Sequence, residues 1–180
     1  MNNRYLFDSY PISRESVRWL EDITALRELT QARFQRIWEI SQSGRELEGE
    51  DARLAEVMER HPEYHEIWEK AETMGTKDVL MDEVNPFMHA TVHTTVENQL
   101  AEGTPPEVAE ALEALLKAGY SRHEAIHFIG AVVADEIYHI LKEKRPADNE
   151  AIAENLRDLA RQARREARRG SRDGSGSGAE

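Results

Sequence analysis

Helix start and stop signals recur along the sequence between residues 85 and 125, and they constrain the fold more than any other feature. Asn85-Pro86 is a helix start, because asparagine caps free backbone amides and proline suits the first helical position. Gly103 and Gly119 are helix stops, since glycine readily adopts the left-handed conformation that follows a helix. Ser121 and Glu124 have the spacing of a capping box. These signals predict helices over about 86–102, between Gly103 and Gly119, and over about 122–144.

Apolar residues recur at helical spacing in the rest of the chain. Phe34, Ile37 and Ile40 end the apolar face of a predicted helix that runs from Ser13 to about Ser43. Further helices are predicted over about 49–60, 61–74 and 148–169, and no segment alternates like a strand. The sequence therefore predicts an all-α, multi-helix bundle with short helix–helix connections and a C-terminal amphipathic helix. The predicted domains are a bundle over 1–145, an arginine-rich helix over 146–169 and a disordered Gly/Ser-rich tail over 170–180.

The charge of the chain is acidic and uneven. The 180 residues carry a net charge of −12, with 13 Lys/Arg and 27 Asp/Glu in residues 1–141 but 10 and 8 in residues 142–180. An acidic main domain disfavours nucleic acid and anionic membrane as its partners. The chain has no cysteine, no long apolar run and no apolar signal segment at its N-terminus, so we expect a cytoplasmic protein. Its helical surface also allows a homo-oligomer.

Histidines are the most unusual chemical feature. Six of the seven fall into three His-x3-His pairs, and residues four apart on an α-helix lie on one face. A glutamate follows four residues after two of the pairs, whereas the third pair has Ala131 at that place. The pairs with their glutamates are His61, His65 and Glu69; His89, His93 and Glu97; and His123 and His127.

Imidazole with carboxylate is a ligand set for divalent metal ions. We therefore interpret all eight of these residues as candidate ligands of iron or zinc, with manganese or nickel as alternatives. A dinuclear non-haem centre is one arrangement that this many ligands allows. In an up-down bundle, His89, His93, His123 and His127 are predicted to lie at one end.

Some of these residues also have a structural interpretation. Pro62 suits the first turn of a helix, so His61 can be a capping residue rather than a ligand. Glu124 belongs to the capping box, and we favour that role over metal binding. His139 has no partner at the right spacing and is read as structural.

Two other functions are compatible with the pattern. The histidines can form a polar network in a non-enzymatic interaction protein, or helix N-termini and imidazoles can bind an anion such as phosphate. No Ser-His-Asp order, Gly-rich phosphate loop or His-Glu-x2-His motif is present, so no familiar enzyme class is supported and the reaction stays open.

The order of the histidine phrases resembles a known family. His61-Pro62-Glu63-Tyr64-His65, then Asn85-Pro86-Phe87-Met88-His89 with His93, then His123-Glu124-Ala125 with His127, resemble a bacterial family catalogued as domain of unknown function 1841. The resemblance covers roughly residues 45–141. It implies that the three pairs and Glu69 belong to the family pattern, but it implies no reaction. The chain departs from that pattern at Ala131, where an acid is common, and in its arginine-rich end.

Overall fold

The computed structural model describes residues 24–75 and 84–173, with side chains for residues 30–75 and 84–169. These residues form helices and turns without a β-strand, so the predicted all-α fold is confirmed for them. Two short 3₁₀ helices, Pro62–Tyr64 and Ala71–Thr73, accompany the α-helices. The α-helices are α1 (Thr24–Gln42), α2 (Gly49–Glu59), α3 (His65–Glu69), α4 (Pro86–Glu102), α5 (Pro106–Lys117), α6 (Arg122–Glu143) and α7 (Asn149–Asp173).

The start and stop signals act as the sequence predicts. The Asn85 side chain accepts hydrogen bonds from the backbone N–H groups of Phe87 and Met88, at 3.0 and 3.2 Å, at the start of α4. Gly103 follows α4 with a φ of 68°, in the left-handed region that ends a helix. Ser121 and Glu124 form both hydrogen bonds of the predicted capping box. The described bounds of α4 and α6 therefore follow from local chemistry.

The segment after α2 differs from the prediction. A single helix was expected over 61–74, whereas the structure has a 3₁₀ helix, the five-residue α3 and a second 3₁₀ helix. His61 lies before the first of these, with φ −120° and ψ 69°, outside helical geometry. Since Pro62 cannot donate a backbone hydrogen bond, it begins a new short helix instead of continuing one. His61 and His65 consequently do not share an α-helical face.

Some predictions lie outside the described residues or beyond their expected bounds. The predicted helix start at Ser13 and residues 174–180 of the predicted tail are outside the described part of the chain. Helix α7 continues to Asp173, beyond the predicted end at 169. Its composition of alanine, arginine and glutamate favours helix, and one glycine costs only about 1 kcal/mol.

The backbone divides into two compact units, Met1–Asn98 and Gln99–Glu180. The predicted domain boundary at 145 stays a prediction. In the second unit α7 packs along α5, and both helices contact α6, so the C-terminal helix is part of a packed unit.

An aromatic cluster fixes the start of α4 in the first unit. The Phe87 ring lies 5.1 Å from that of Phe34 and 5.4 Å from that of Trp68, and both contacts are edge-on. All three side chains are buried. Burial of an aromatic side chain stabilises the fold by roughly 1.5–3 kcal/mol. The first turn of α4, which also carries His89, is therefore held firmly against α1 and α3.

The second unit is packed through small and branched side chains. Val108, Ala111 and Leu115 of α5 are buried, as are Ala153, Leu156, Ala160 and Ala163 of α7. Alanines on the buried face let helices approach closely, so the packing is tight. None of the described helices combines the length and apolar character that a bilayer crossing requires.

Candidate metal centre

Helix α4 brings His89 and His93 together as their spacing predicts. The two ring centroids are 4.3 Å apart, with an angle of 36° between the ring planes. His93 is buried, with 4% of its surface exposed, and His89 is half-buried. Helical spacing therefore produces a pair of imidazoles on the inner side of α4.

His61 completes a cluster of three imidazoles, although it comes from a different segment. Its ring centroid lies 4.7 Å from that of His89 and 5.0 Å from that of His93. One ring nitrogen from each of the three residues lies within 4.8 Å of the others. We call His61, His89 and His93 the three-histidine cluster. It lies entirely within the first unit.

A hydrogen bond to a backbone carbonyl orients the His61 ring. Nδ1 of His61 lies 2.7 Å from the carbonyl oxygen of Val57, and His61 is 2% exposed. A carbonyl oxygen can only accept, so Nδ1 donates in this contact, and in the Nδ1–H tautomer the lone pair is on Nε2. In metal sites, a histidine that binds the ion with one ring nitrogen usually donates the N–H of the other to a carboxylate, a backbone carbonyl or water. The Nε2 lone pair of His61 is therefore oriented towards the cluster.

The separation of ring nitrogens is close to what an ion needs. Nε2 of His61 and Nε2 of His89 are 2.9 Å apart. With metal–nitrogen bonds of about 2.0–2.1 Å, two ligands are about 2.9 Å apart at a right angle and about 3.3 Å apart at a tetrahedral angle. A ring movement of a few tenths of an ångström accommodates either geometry. Without an ion, His89 Nε2–H would donate to His61 Nε2, so the same contact also fits a histidine hydrogen bond.

Tyr64 forms one wall of the cluster. Its ring is nearly parallel to that of His61, at 5.9 Å, and lies edge-on to His89, at 5.8 Å. It also contacts Trp68 at 5.8 Å, which joins the cluster to the aromatic core. Because His61, His93 and Tyr64 are buried while His89 is half-exposed, solvent approaches the cluster from the His89 side.

The two candidate carboxylates are placed differently from one another. Glu97 lies one turn after His93, and its Oε1 accepts a hydrogen bond from Arg60 Nη1 at 3.1 Å. The Glu97 side chain is 12% exposed. This ion pair ties the chain next to His61 to the turn next to His93, so it supports the cluster from outside. Glu69 ends α3 and is exposed to solvent.

His65 lies against a different side chain. Its ring centroid is 4.5 Å from that of Trp38, and its Nε2 is buried without a hydrogen-bond partner among the described residues. The structure thus brings His61 into the cluster and leaves His65 in the aromatic core. The local reason is the 3₁₀ helix at Pro62, which removes the four-residue helical relation between the two histidines.

The third pair belongs to the second unit. His123 and His127 are one turn apart on α6, with their Nε2 atoms 2.9 Å apart. Glu124 is held by the capping box, and the hydrogen bond from the Ser121 backbone N–H lowers the pKa of its carboxyl group. His139 pairs with Glu143 at 2.9 Å, in keeping with a structural role. The predicted sharing of an ion between the pairs stays a prediction.

Sequence reasoning missed three residues that shape the cluster. The Val57 carbonyl orients His61, Tyr64 packs on two of the rings, and Arg60 holds Glu97. Val57 lies four residues before His61, in the last turn of α2, where backbone carbonyls lack helical partners. A histidine that closely follows a helix can bond one of these carbonyls, and that spacing was the available signal.

The sequence of this chain also matches a known protein family. The sequence matches the family described as Domain of unknown function (DUF1841) over residues 26–158. The chain belongs to the DUF1841 family. That match includes every histidine of the three pairs and both glutamates that follow them. The searches of curated proteins and of solved structures found no match.

Proposed function

We propose that this DUF1841 protein binds a divalent metal ion through His61, His89 and His93. The observation that carries the proposal is the convergence of three imidazoles, two of them buried, with the His61 lone pair oriented by the Val57 carbonyl. Three imidazoles that converge in this way offer a divalent cation three nitrogen ligands at once.

Iron and zinc are the ions that we favour, with manganese and nickel as alternatives. Neutral imidazole is a ligand for all four of these ions. Three protein ligands leave coordination positions for water or another small ligand on the His89 side. A zinc ion there would supply a nucleophilic hydroxide, and an iron ion would supply chemistry with oxygen or peroxide.

The carboxylates of Glu97 and Glu69 are not direct ligands of the ion in this proposal. Glu97 is bonded to Arg60, and Glu69 is exposed, so neither is needed as a direct ligand. The earlier expectation of a dinuclear centre that also uses His123 and His127 remains a further form of the proposal. It predicts more than one ion per chain.

A metal-free histidine network is the second candidate. The 2.9 Å contact between His61 and His89 is a normal hydrogen-bond length, and it favours such a network when no ion is present. In that case the cluster would be a structural or partner-binding element of a non-enzymatic protein.

An anion site at the helix N-termini is disfavoured. The Asn85 side chain already accepts the hydrogen bonds of Phe87 and Met88 at the start of α4. Ser121 and Glu124 occupy the same positions on α6, and Glu124 adds a negative charge there. Phosphate would have to displace both caps.

Metal content separates the first two candidates. Untagged protein, expressed with iron and zinc supplied, is analysed by inductively coupled plasma mass spectrometry together with the variants His89→Gln and His93→Ala. We expect about one ion per chain in the wild type, and in both variants at least a tenfold loss of metal affinity that lowers the amount of bound metal.

His65→Phe and His139→Ala are the matched controls, because each removes one histidine outside the three-histidine cluster. Both are expected to retain the metal. Circular dichroism shows whether each variant is folded, and His89→Gln is the gentler change because His89 is half-buried. Folded wild-type protein that takes up no ion would reject metal binding in favour of the histidine network. An additional loss of metal in His127→Ala would support the larger site.

A further inference from the structure

The arginines of α7 fall into two sets with different surroundings. Arg157 donates to Glu107 of α5 at 2.6 Å and to Glu150 at 3.1 Å. Arg164 lies near Glu113 of α5, whose pKa is lowered mainly by the hydrogen bond from Lys117 and also by the charge of Arg164. Arg157 therefore helps to dock α7 on the acidic side of α5, and Arg164 lies within about 20° of Arg157 around the helix axis.

The other arginines of α7 whose side chains the structure describes make no hydrogen bond or ion pair with α5. Arg161, Arg165, Arg168 and Arg169 are all exposed, and we call them the outer arginine stripe. At about 100° per residue they lie within about 100° of one another around the helix axis. The centre of the stripe is about 150° from the centre of the buried alanine and leucine face. The stripe thus points away from the packed side of α7 and extends about 12 Å along it.

We propose that the outer arginine stripe binds the phosphate backbone of a nucleic acid, without reading its sequence. Guanidinium groups suit phosphate because they donate two parallel hydrogen bonds and keep their charge at any physiological pH. Duplex DNA presents about one phosphate charge per 1.7 Å of its axis, so a 12 Å stripe faces about seven phosphates. Release of the counterions condensed on them provides the driving force.

Two other anionic partners fit the stripe less well. A membrane-surface helix needs an apolar face to enter the bilayer, but the apolar face of α7 is buried in the second unit. An acidic protein would form exposed ion pairs, which water and salt screen, and it would release few counterions. Asp158 already pairs with Arg161 in this way.

The proposal concerns α7 alone and is independent of the three-histidine cluster. Residues 1–141 carry 13 Lys/Arg and 27 Asp/Glu, so that part of the chain repels polyanions. Binding would therefore be weak, local and sensitive to salt. Because Arg161 shares its charge with Asp158, we count Arg165, Arg168 and Arg169 as the phosphate contacts.

Fluorescence anisotropy of a labelled duplex, titrated with the full chain at several salt concentrations, tests this proposal. Three phosphate contacts predict a slope of log affinity against log salt of about −2.7, which is roughly a 40-fold loss of affinity over a fourfold rise in salt. The variant R165Q/R168Q/R169Q should lose nearly all of this binding at low salt. Glutamine keeps the helix propensity and removes only the charges.

The variant K117Q/K142Q/K144Q is the matched control. It removes three positive charges from the same unit but leaves α7 unchanged, and we expect its affinity to stay within about twofold of the wild type. Equal losses in both variants would overturn the proposal, because net charge rather than the stripe would then control binding. Failure to bind the duplex at low salt would also overturn it. So would equal or tighter binding to vesicles of anionic lipid or to polyglutamate.

Discussion

Glu136 holds the connection between α6 and α7, and its removal is the clearest test of the second unit. Its carboxylate accepts hydrogen bonds from Arg145 Nη1 and Nη2 at 2.6 and 2.8 Å, and from the backbone N–H of Asp148 at 2.6 Å. The Glu136 side chain is 9% exposed and that of Arg145 is 30% exposed. The pair is therefore shielded on the glutamate side and partly open on the arginine side.

Glu136→Gln keeps the shape of this side chain but turns an NH₂ group towards Arg145. Hydrogen bonds to charged groups contribute about 1.5–3 kcal/mol each, and the exposure of Arg145 reduces that value. Since at least one bond is lost and one acceptor weakened, we expect the free energy of unfolding of the second unit to fall by about 2 kcal/mol. For a unit of this size that corresponds to a fall of roughly 8–16 °C in melting temperature.

The pH dependence of this effect has a definite sign. The hydrogen bonds from Arg145, followed by that from Asp148, lower the pKa of Glu136 below its usual value of 4.5. Its stabilising contribution is present above that unfolded-state value and is lost as pH falls through the lowered folded-state pKa. The difference between wild type and Glu136→Gln should therefore be full at pH 7 and should shrink well below pH 4.5.

Thermal unfolding followed by circular dichroism at neutral and acid pH measures both effects. Glu143→Gln is the matched control, because Glu143 contacts the same arginine at 3.1 Å but is exposed. The melting temperature of Glu143→Gln should be close to that of the wild type. Equal melting temperatures of Glu136→Gln and Glu143→Gln at pH 7 would contradict this prediction. So would a difference in melting temperature between wild type and Glu136→Gln that stays the same in acid.

Further predictions concern the first unit. Zinc or iron(II) at about 100 times its dissociation constant should stabilise the wild type by about 2.7 kcal/mol, but His93→Ala should show no shift in melting temperature. His65→Phe should unfold at or above the wild-type temperature, since it removes a buried nitrogen without a partner and keeps the ring against Trp38; a clear fall would contradict this. Arg60→Gln should lower stability by less than about 1 kcal/mol because its pair with Glu97 is partly exposed. It should retain bound metal, as mass spectrometry would show.

Local signals predicted most of the helical architecture. Asn85, Gly103 and the Ser121–Glu124 capping box act through neighbouring backbone groups, so their effects can be read without tertiary information. The segment around Pro62 could not be predicted as well. Pro62 marks the start of a new helix, but no local signal marks the end of α3 at Glu69 or the second 3₁₀ helix.

The candidate site was predictable only in part. His89 and His93 meet because of helical spacing alone, whereas His61 comes from the segment after α2 and meets them only in the folded chain. The spacing of His61 and His65 suggested one helical pair, but tertiary contacts place the His65 ring against Trp38. The sequence shows the arginines of α7 only as one arginine-rich helix. The hydrogen bond from Arg157 to Glu107, with Arg164 near Arg157 around the helix axis, separates these two arginines from the outer arginine stripe.

X-ray absorption at the metal edge of metal-loaded, untagged protein identifies the ligands of the bound ion. We expect nitrogen ligands at about 2.0–2.1 Å with the multiple-scattering pattern of about three imidazoles, falling to about two in His89→Gln. A spectrum with oxygen ligands only, or an imidazole count that His89→Gln leaves unchanged, would contradict a metal ion bound by the three-histidine cluster.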